Sequence, residues 1–168
     1  MKWIDGSNID IKNFSGAEIC ERLSLEMWDI KRSEWSSGLA DFIQTALFII
    51  AFDTELNMEG IFTFLENSIG HYAPEIIKAF RAIGDNKDAD ILSEICRLAP
   101  PDVMRGEFLN SDYKEYDISV FGDDHELNPE VADKIDLLEN RLYLNTDFDI
   151  WQLLYDYLDR EISDYEVL

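Results

Sequence analysis

The sequence predicts an all-α fold, a single-domain bundle of about seven helices around a buried central helix over about 39–56, with an irregular acidic loop at about 110–127. Three observations predict it. The segment from Leu39 to Phe52 is polar only at Asp41, Gln44 and Thr45, so a helix there is apolar almost all round and needs neighbours on several sides. Other segments carry apolar residues at helical spacing, bounded by cap residues, glycines and prolines. A chain of 168 residues suits one domain, which at this size buries about two-thirds of its unfolded surface.

In chain order, a polar lead is followed by Ser15-Gly16-Ala17-Glu18, the spacing of a capping box. Ile19, Leu23, Met27 and Ile30 mark the buried face of the helix that follows. It is expected to end near Lys31 and Arg32, where cations suit the negative helix end. Ser36-Ser37-Gly38 separates it from the central helix. A membrane span needs roughly 18 or more residues with few charges, whereas the run Ala46 to Phe52 is short and Asp53 and Glu55 follow at once. The central helix is therefore read as buried in protein, not in a membrane.

Leu56 to Gly60 is a plausible break, after which Ile61, Phe62, Phe64, Leu65 and Ile69 supply a second apolar stripe. Two helices meeting at Gly60 are expected to bury each other. Ser68 to Ala73 reads as a turn, and Pro74 suits the first turn of a helix whose buried face is Ile76, Ile77, Phe80 and Ile83. Gly84 can end it in the left-handed conformation. Asp85 or Asn86 can cap the next helix, which points Ala89, Leu92, Ile95 and Cys96 inward and stops before Pro100-Pro101.

A short helix over 102–109 is weakened by Gly106, and the helical period is lost from Asn110 to Leu127. Asn128-Pro129-Glu130 is a firm start, a cap followed by proline at the first helical position. Val131, Ile135, Leu138 and Leu142 form that helix's stripe, ending by Asn145. Thr146 and Asp149 repeat the capping-box spacing ahead of a final helix carrying Ile150, Trp151, Leu154, Tyr157, Leu158 and Ile162. Trp28, Trp35 and Trp151 are read as filling the core or an interface, and Trp3 as mobile. An exposed cluster of Tyr155, Tyr157 and Tyr165 would mark a partner surface.

Charge is the most informative part of the composition. The chain has 14 Lys plus Arg against 36 Asp plus Glu, a net charge of -22. Residues 1–84 hold 13 acids and 7 bases, whereas residues 85–168 hold 23 acids and 7 bases. Aromatic residues run throughout, unlike a disordered acidic tail. Such a surface repels nucleic acid and acidic membranes and steers basic surfaces toward it.

Signals for chemistry are poor. The motifs GxGxxG, GxxxxGK[ST], HExxH and GxSxG do not occur. Cys20 and Cys96 lie far apart in apolar helical contexts, so they read as reduced core thiols of a cytoplasmic protein. The N-terminus lacks a basic region followed by an apolar run, so no secretory signal is expected. His125 lies within Asp123-Asp124-His125-Glu126, but a solvated histidine is the simpler reading than a metal ligand. No catalytic residue, metal or cofactor is expected.

The run Asn57-Met58-Glu59-Gly60-Ile61-Phe62-Thr63-Phe64-Leu65-Glu66-Asn67, followed by Pro74 to Gly84 and by Ala89-Asp90-Ile91-Leu92, resembles the bacterial DNA mimic protein family. That family shows an asparagine-asparagine-glycine-glycine-phenylalanine turn and then an alanine-rich helix ending in Ile-Gly. Here Met58, Glu59 and Ile61 stand in place of asparagine, glycine and phenylalanine. The similarity covers roughly residues 20–162. It implies an all-α fold, a possible homodimer and, for at least one member, an acidic surface that occupies the DNA site of a transcription factor.

Charge magnitude supports mimicry independently. B-DNA carries one negative charge per roughly 1.7 Å of axis, so the net of -22 equals about 37 Å of duplex. A globule of this length has a diameter of about 40 Å. A mimic must show rows of carboxylates on one face. The candidates are Asp112, Glu115 and Asp117, then Asp123, Asp124 and Glu126, and the outward helical positions Glu130, Asp133, Asp136, Glu139, Asp156 and Asp159. The bland alternative is that they are solvated charges that keep the chain soluble. The expected partner is thus a basic protein, a DNA-binding regulator, with no direct binding of nucleic acid. Two other functions fit the same composition: an immunity-type inhibitor of a basic toxin or nuclease, and a metal-dependent hydrolase built on the loop from Asp112 to Glu126.

Overall fold

The apolar segment after Leu39 becomes α2 (Asp41–Glu66), and Thr45 to Phe52 are buried without interruption. A computed structural model describes residues 1–29, 35, 38–66, 69–99 and 128–165 of the chain. Its other helices are α1 (Gly16–Glu26), α3 (Ala73–Ile83), α4 (Asn86–Leu98), α5 (Pro129–Glu139) and α6 (Ile150–Asp164). The class is all-α, and the only strand pairing among the described residues is an isolated bridge between Lys2 and Asn8. The expected helix over 102–109 and the acidic loop at 110–127 lie outside the described residues.

An all-round apolar helix must be covered on every side, and α1, α3 and α6 do this for α2. The chain then winds outward, α4 packing on α3 and α5 on α4, while α1 lies along α6. One cluster of buried apolar residues runs through all six helices. Gly60 breaks α2 with φ 77° and ψ 177°, a conformation essentially reserved for glycine. The break turns the two halves of α2 toward each other, so that Phe52 meets Phe64 edge to face at 5.0 Å. The expected meeting of two helical segments at Gly60 is thus present, as a kink inside one element.

The local caps are those the residues specify. Ser15 and Glu18 form a reciprocal capping box on α1. Gly84 ends α3 at φ 94°, and Asp85 caps α4 by accepting from the Asp88 amide. Asn128 caps α5 with Pro129 in its first turn. Two boundaries differ. α1 stops at Glu26 and tightens into a 3₁₀ turn, Met27–Asp29, where the Trp28 indole N–H donates to the Ser24 carbonyl at 2.9 Å and satisfies a helix-end acceptor. Ile30, Lys31 and Arg32 lie outside the described residues. At α6 the cap is Asp149, which accepts from the Gln152 amide, whereas Thr146 closes a separate 3₁₀ turn, Tyr143–Asn145.

Trp3, read from sequence as mobile, is fully buried. Its indole N–H donates to Glu26 and the Arg22 guanidinium stacks on its ring at 4.7 Å. The lead segment is fastened at a second point, where Lys12 Nζ donates to the Ile162 and Ser163 carbonyls at the negative end of α6. Trp35 is buried against Phe48 and Tyr72. Cys20 and Cys96 are both buried and free, and burial pushes each thiol up to about 12. They are protonated packing residues at neutral pH.

Candidate acidic interaction surface

Among the described stretches, the one at the end of the chain has the highest density of uncompensated charge. Residues 128–165 carry 10 carboxylates against 3 cations. In α5, Ile135 is buried and Val131 and Leu138 are half-buried against the core. The helical period therefore turns Glu130, Asp133 and Asp136 to solvent, and all three are exposed. Successive members are three residues apart, about 4.5 Å along the helix axis, close to the roughly 3.4 Å axial rise between phosphates of one DNA strand. Leu137 stands exposed among them at 68 %.

On α6 the buried face is Ile150, Leu154, Tyr157, Leu158 and Ile162, which leaves Asp156, Asp159 and Asp164 exposed, with the exposed cap Asp149 just before them. Ion pairs among the described residues are Arg22–Glu26, Arg81–Asp90, Arg97–Glu94 and Arg160–Glu161. Four of the cations are thus already engaged, and none is paired with Glu130, Asp133, Asp136 or Asp156. Acid also lines a cleft between α2, α3 and α6, where Asp41, Glu75 and Glu161 face Lys78. Exposed carboxylates occur on every helix, so α5 and α6 carry the densest acid among the described residues and are not an isolated patch.

The sequence-derived candidates divide into three groups. Asp112, Glu115, Asp117, Asp123, Asp124 and Glu126 lie outside the described residues. Glu130, Asp133, Asp136 and Asp156 are exposed, the last accepting from Gln152 at 2.7 Å. Glu139 and Asp159 have internal work. Glu139 is half-buried instead of outward, because its Oε1 accepts at 3.0 Å from the Ile61 amide that the Gly60 break strips of a helical partner. Asp159 is exposed, yet its Oδ1 accepts at 2.6 Å from the Gly16 amide in the first turn of α1. Their carboxylates answer backbone donors, and among the described residues no lysine or arginine forms an ion pair with them.

Glu139→Ala should therefore cost about 1–2 kcal/mol by orphaning the Ile61 amide, measured as a lower denaturation midpoint. Glu139→Gln should restore most of it, and Asp136→Ala on the next turn should be nearly neutral. Equal stability of the Glu139 and Asp136 alanine variants would refute this assignment.

The tyrosines do not form an exposed cluster. Tyr157 is buried, Tyr165 packs edge to face on Phe42 at 5.8 Å, and Tyr155 lies against Trp151. Trp28 is half exposed and Trp151 half-buried.

A buried polar junction holds α5 and α6 to the rest of the fold, and sequence reading missed it. The Tyr143 hydroxyl donates to Asp53 Oδ1 on α2 at 2.8 Å, its backbone amide donates to Asp88 Oδ2 on α4 at 3.2 Å, and its ring meets Phe80 of α3. Burial raises the Asp53 carboxyl above its ordinary range, and burial together with the Asp53 carboxylate raises the Tyr143 phenol. The available signal was period: Asp88 sits one turn before Leu92, on the inward stripe of α4.

Among the described residues, no three His, Cys, Asp or Glu side chains come together as metal ligands, and no helix is long and apolar enough to cross a membrane. The hydrolase reading rested on Asp112 to Glu126, outside the described residues. No curated protein and no solved structure gives a significant match to the chain. A family model described as DMP19-like protein matches residues 37–161, from the start of the central helix almost to the end of α6. The match lies within the segment over which the chain resembles the DNA mimic proteins, and the chain belongs to the DMP19-like protein family.

Proposed function

We propose that this protein is a non-catalytic DNA mimic, an acidic interaction module that occupies the DNA-binding surface of a basic partner such as a transcription regulator. Membership of the DMP19-like family supports the class of activity. The observation that carries the reading to particular residues is the row of exposed carboxylates on α5, Glu130, Asp133 and Asp136, which have no ion-pair partner among the described residues.

Carboxylates fixed on a helix need no reorganisation when a cationic groove approaches. Their joint field steers the encounter over roughly a Debye length, about 8 Å at physiological ionic strength. The exposed Leu137 adds an apolar contact within the charged row. In this reading the protein acts in the cytoplasm, and pairing of two copies would lengthen the acidic face.

Charge alone can be separated from mimicry by titrating the chain against two proteins of like positive charge, a DNA-binding regulator and a basic protein without a DNA groove. Mimicry predicts tight binding to the first only. Equal affinity for both would reduce the surface to nonspecific charge.

A further inference from the structure

The first turn of α4 holds two buried carboxyl groups that the acidic surface does not use. Asp88 is fully buried and Asp85 is 5 % exposed. One oxygen of each is satisfied: Asp85 Oδ1 accepts from the Asp88 amide at 3.1 Å, and Asp88 Oδ2 accepts from the Tyr143 amide at 3.2 Å. The other two, Asp85 Oδ2 and Asp88 Oδ1, are buried with no hydrogen-bond partner among the described residues, and the Asp85 carboxyl adds to the burial that raises the Asp88 pKa. Two ionised carboxylates cannot share a dry contact without strong repulsion, and a single proton between them makes one a donor and the other an acceptor. That proton satisfies both remaining oxygens at once.

We propose that Asp85 and Asp88 share one proton and form a pH-sensitive lock that fastens the α3–α4 corner to the Tyr143 turn, and through that turn to the acidic helices α5 and α6. Tyr143 makes the lock structural, since it binds Asp88 with its amide and Asp53 of α2 with its hydroxyl.

The surroundings offer the pair little compensating charge. Lys87, its neighbour on α4, is exposed and only partly offsets the carboxyls. From α3, Arg81 is turned outward to Asp90. From α5, Glu139 is committed to Ile61, and just beyond that helix Arg141 lines a separate cleft with Lys87, Asp90 and Glu94. From α2, Asp53 is occupied by the Tyr143 hydroxyl.

The pH dependence follows from these positions. Burial, then the Asp85 carboxyl, push Asp88 up to about 7 from the ordinary 3.8. The folded chain therefore holds a proton that the unfolded chain has lost between these two values. The contribution of this pair to stability is fully present below the unfolded value, declines as pH rises toward 7, and is lost above it.

Thermal unfolding of the full chain from pH 5 to 8.5 tests this. The wild type should lose on the order of 5–10 °C in Tm over that range. Asp88→Asn keeps a carbonyl for the Tyr143 amide and places a permanent donor against Asp85 Oδ2, so its Tm should be flat. Infrared titration of the wild type supplies an independent readout, usable even if the variant folds poorly. The carbonyl stretch of a protonated acid should be present at pH 6 and gone by pH 8.5. A wild-type Tm indifferent to pH, an Asp88→Asn variant with the wild-type slope, or no protonated carboxyl at pH 6 would overturn the proposal.

Discussion

Phe52→Ala is expected to cost about 3–5 kcal/mol, the range for removing a fully buried phenylalanine. The Phe52 ring has no exposed surface and sits between Phe64 at 5.0 Å and Phe80 at 5.5 Å, nearly perpendicular to both. Its removal opens a cavity where both halves of α2 meet α3, and it deletes two edge-to-face contacts worth about 0.5–1.5 kcal/mol each. The kink at Gly60 limits collapse, because the backbone there cannot relax into a continuous helix without giving up the Glu139 cap. Tm should fall by about 6–20 °C, with Phe52→Leu losing less than half as much. Urea unfolding checks this, since a pure loss of packing lowers the midpoint while the slope is kept. A loss under about 1 kcal/mol would mean that the two halves of α2 do not close on Phe52.

Reversing Glu130, Asp133 and Asp136 to lysine together should weaken partner binding at low salt by at least about 100-fold, since like-charge juxtaposition costs several kcal/mol. The fold should survive. All three are exposed on the side of α5 away from Ile135, and none of their carboxylates holds another element. Losing the acid in the first turn of α5 should cost about 0.3–1 kcal/mol. Glu21→Lys with Glu66→Lys, exposed acids of α1 and α2, gives the comparison. Their effect should be a few-fold at most and vanish as salt rises, because charges beyond about 10 Å are screened. Binding assays on both variants, each first confirmed folded, decide the point. Equal losses would spread the interaction over the whole acidic surface and remove α5 from its special place.

The features that could be read from sequence are the local ones. Ser15, Gly84, Asn128 and Pro129 act on donors and dihedral angles within one turn of themselves, so their identities suffice. The central helix was equally legible, because nothing but surrounding protein suits the run from Ala46 to Phe52. Trp3 was misread, and the internal contacts of Glu139 and Asp159 were missed, for one reason. Each is fixed by a group distant in sequence: Trp3 by Glu26 and Arg22, Glu139 by the Ile61 amide, and Asp159 by the Gly16 amide. A carboxylate at an outward helical position looks the same in sequence whether it meets water or an orphaned amide. The Asp85–Asp88–Tyr143 junction was hidden for the same reason, although the inward register of Asp88 pointed to it.

The surface candidates were legible as a class but not as an arrangement. Net charge reports how many carboxylates there are, and only packing decides that Ile135 faces the core and that Glu130, Asp133 and Asp136 face water. The chain's membership of the DMP19-like family and this row on α5 converge on one expectation, that the protein and a DNA duplex compete for the same cationic groove.

Competition at equilibrium tests that expectation most directly. A DNA-binding partner is loaded with its own labelled duplex and titrated with this protein at low and at high salt. Displacement of the duplex in step with formation of a protein–protein complex, weakening steeply as salt rises, is the predicted result. A stable ternary complex, or displacement indifferent to ionic strength, would contradict it.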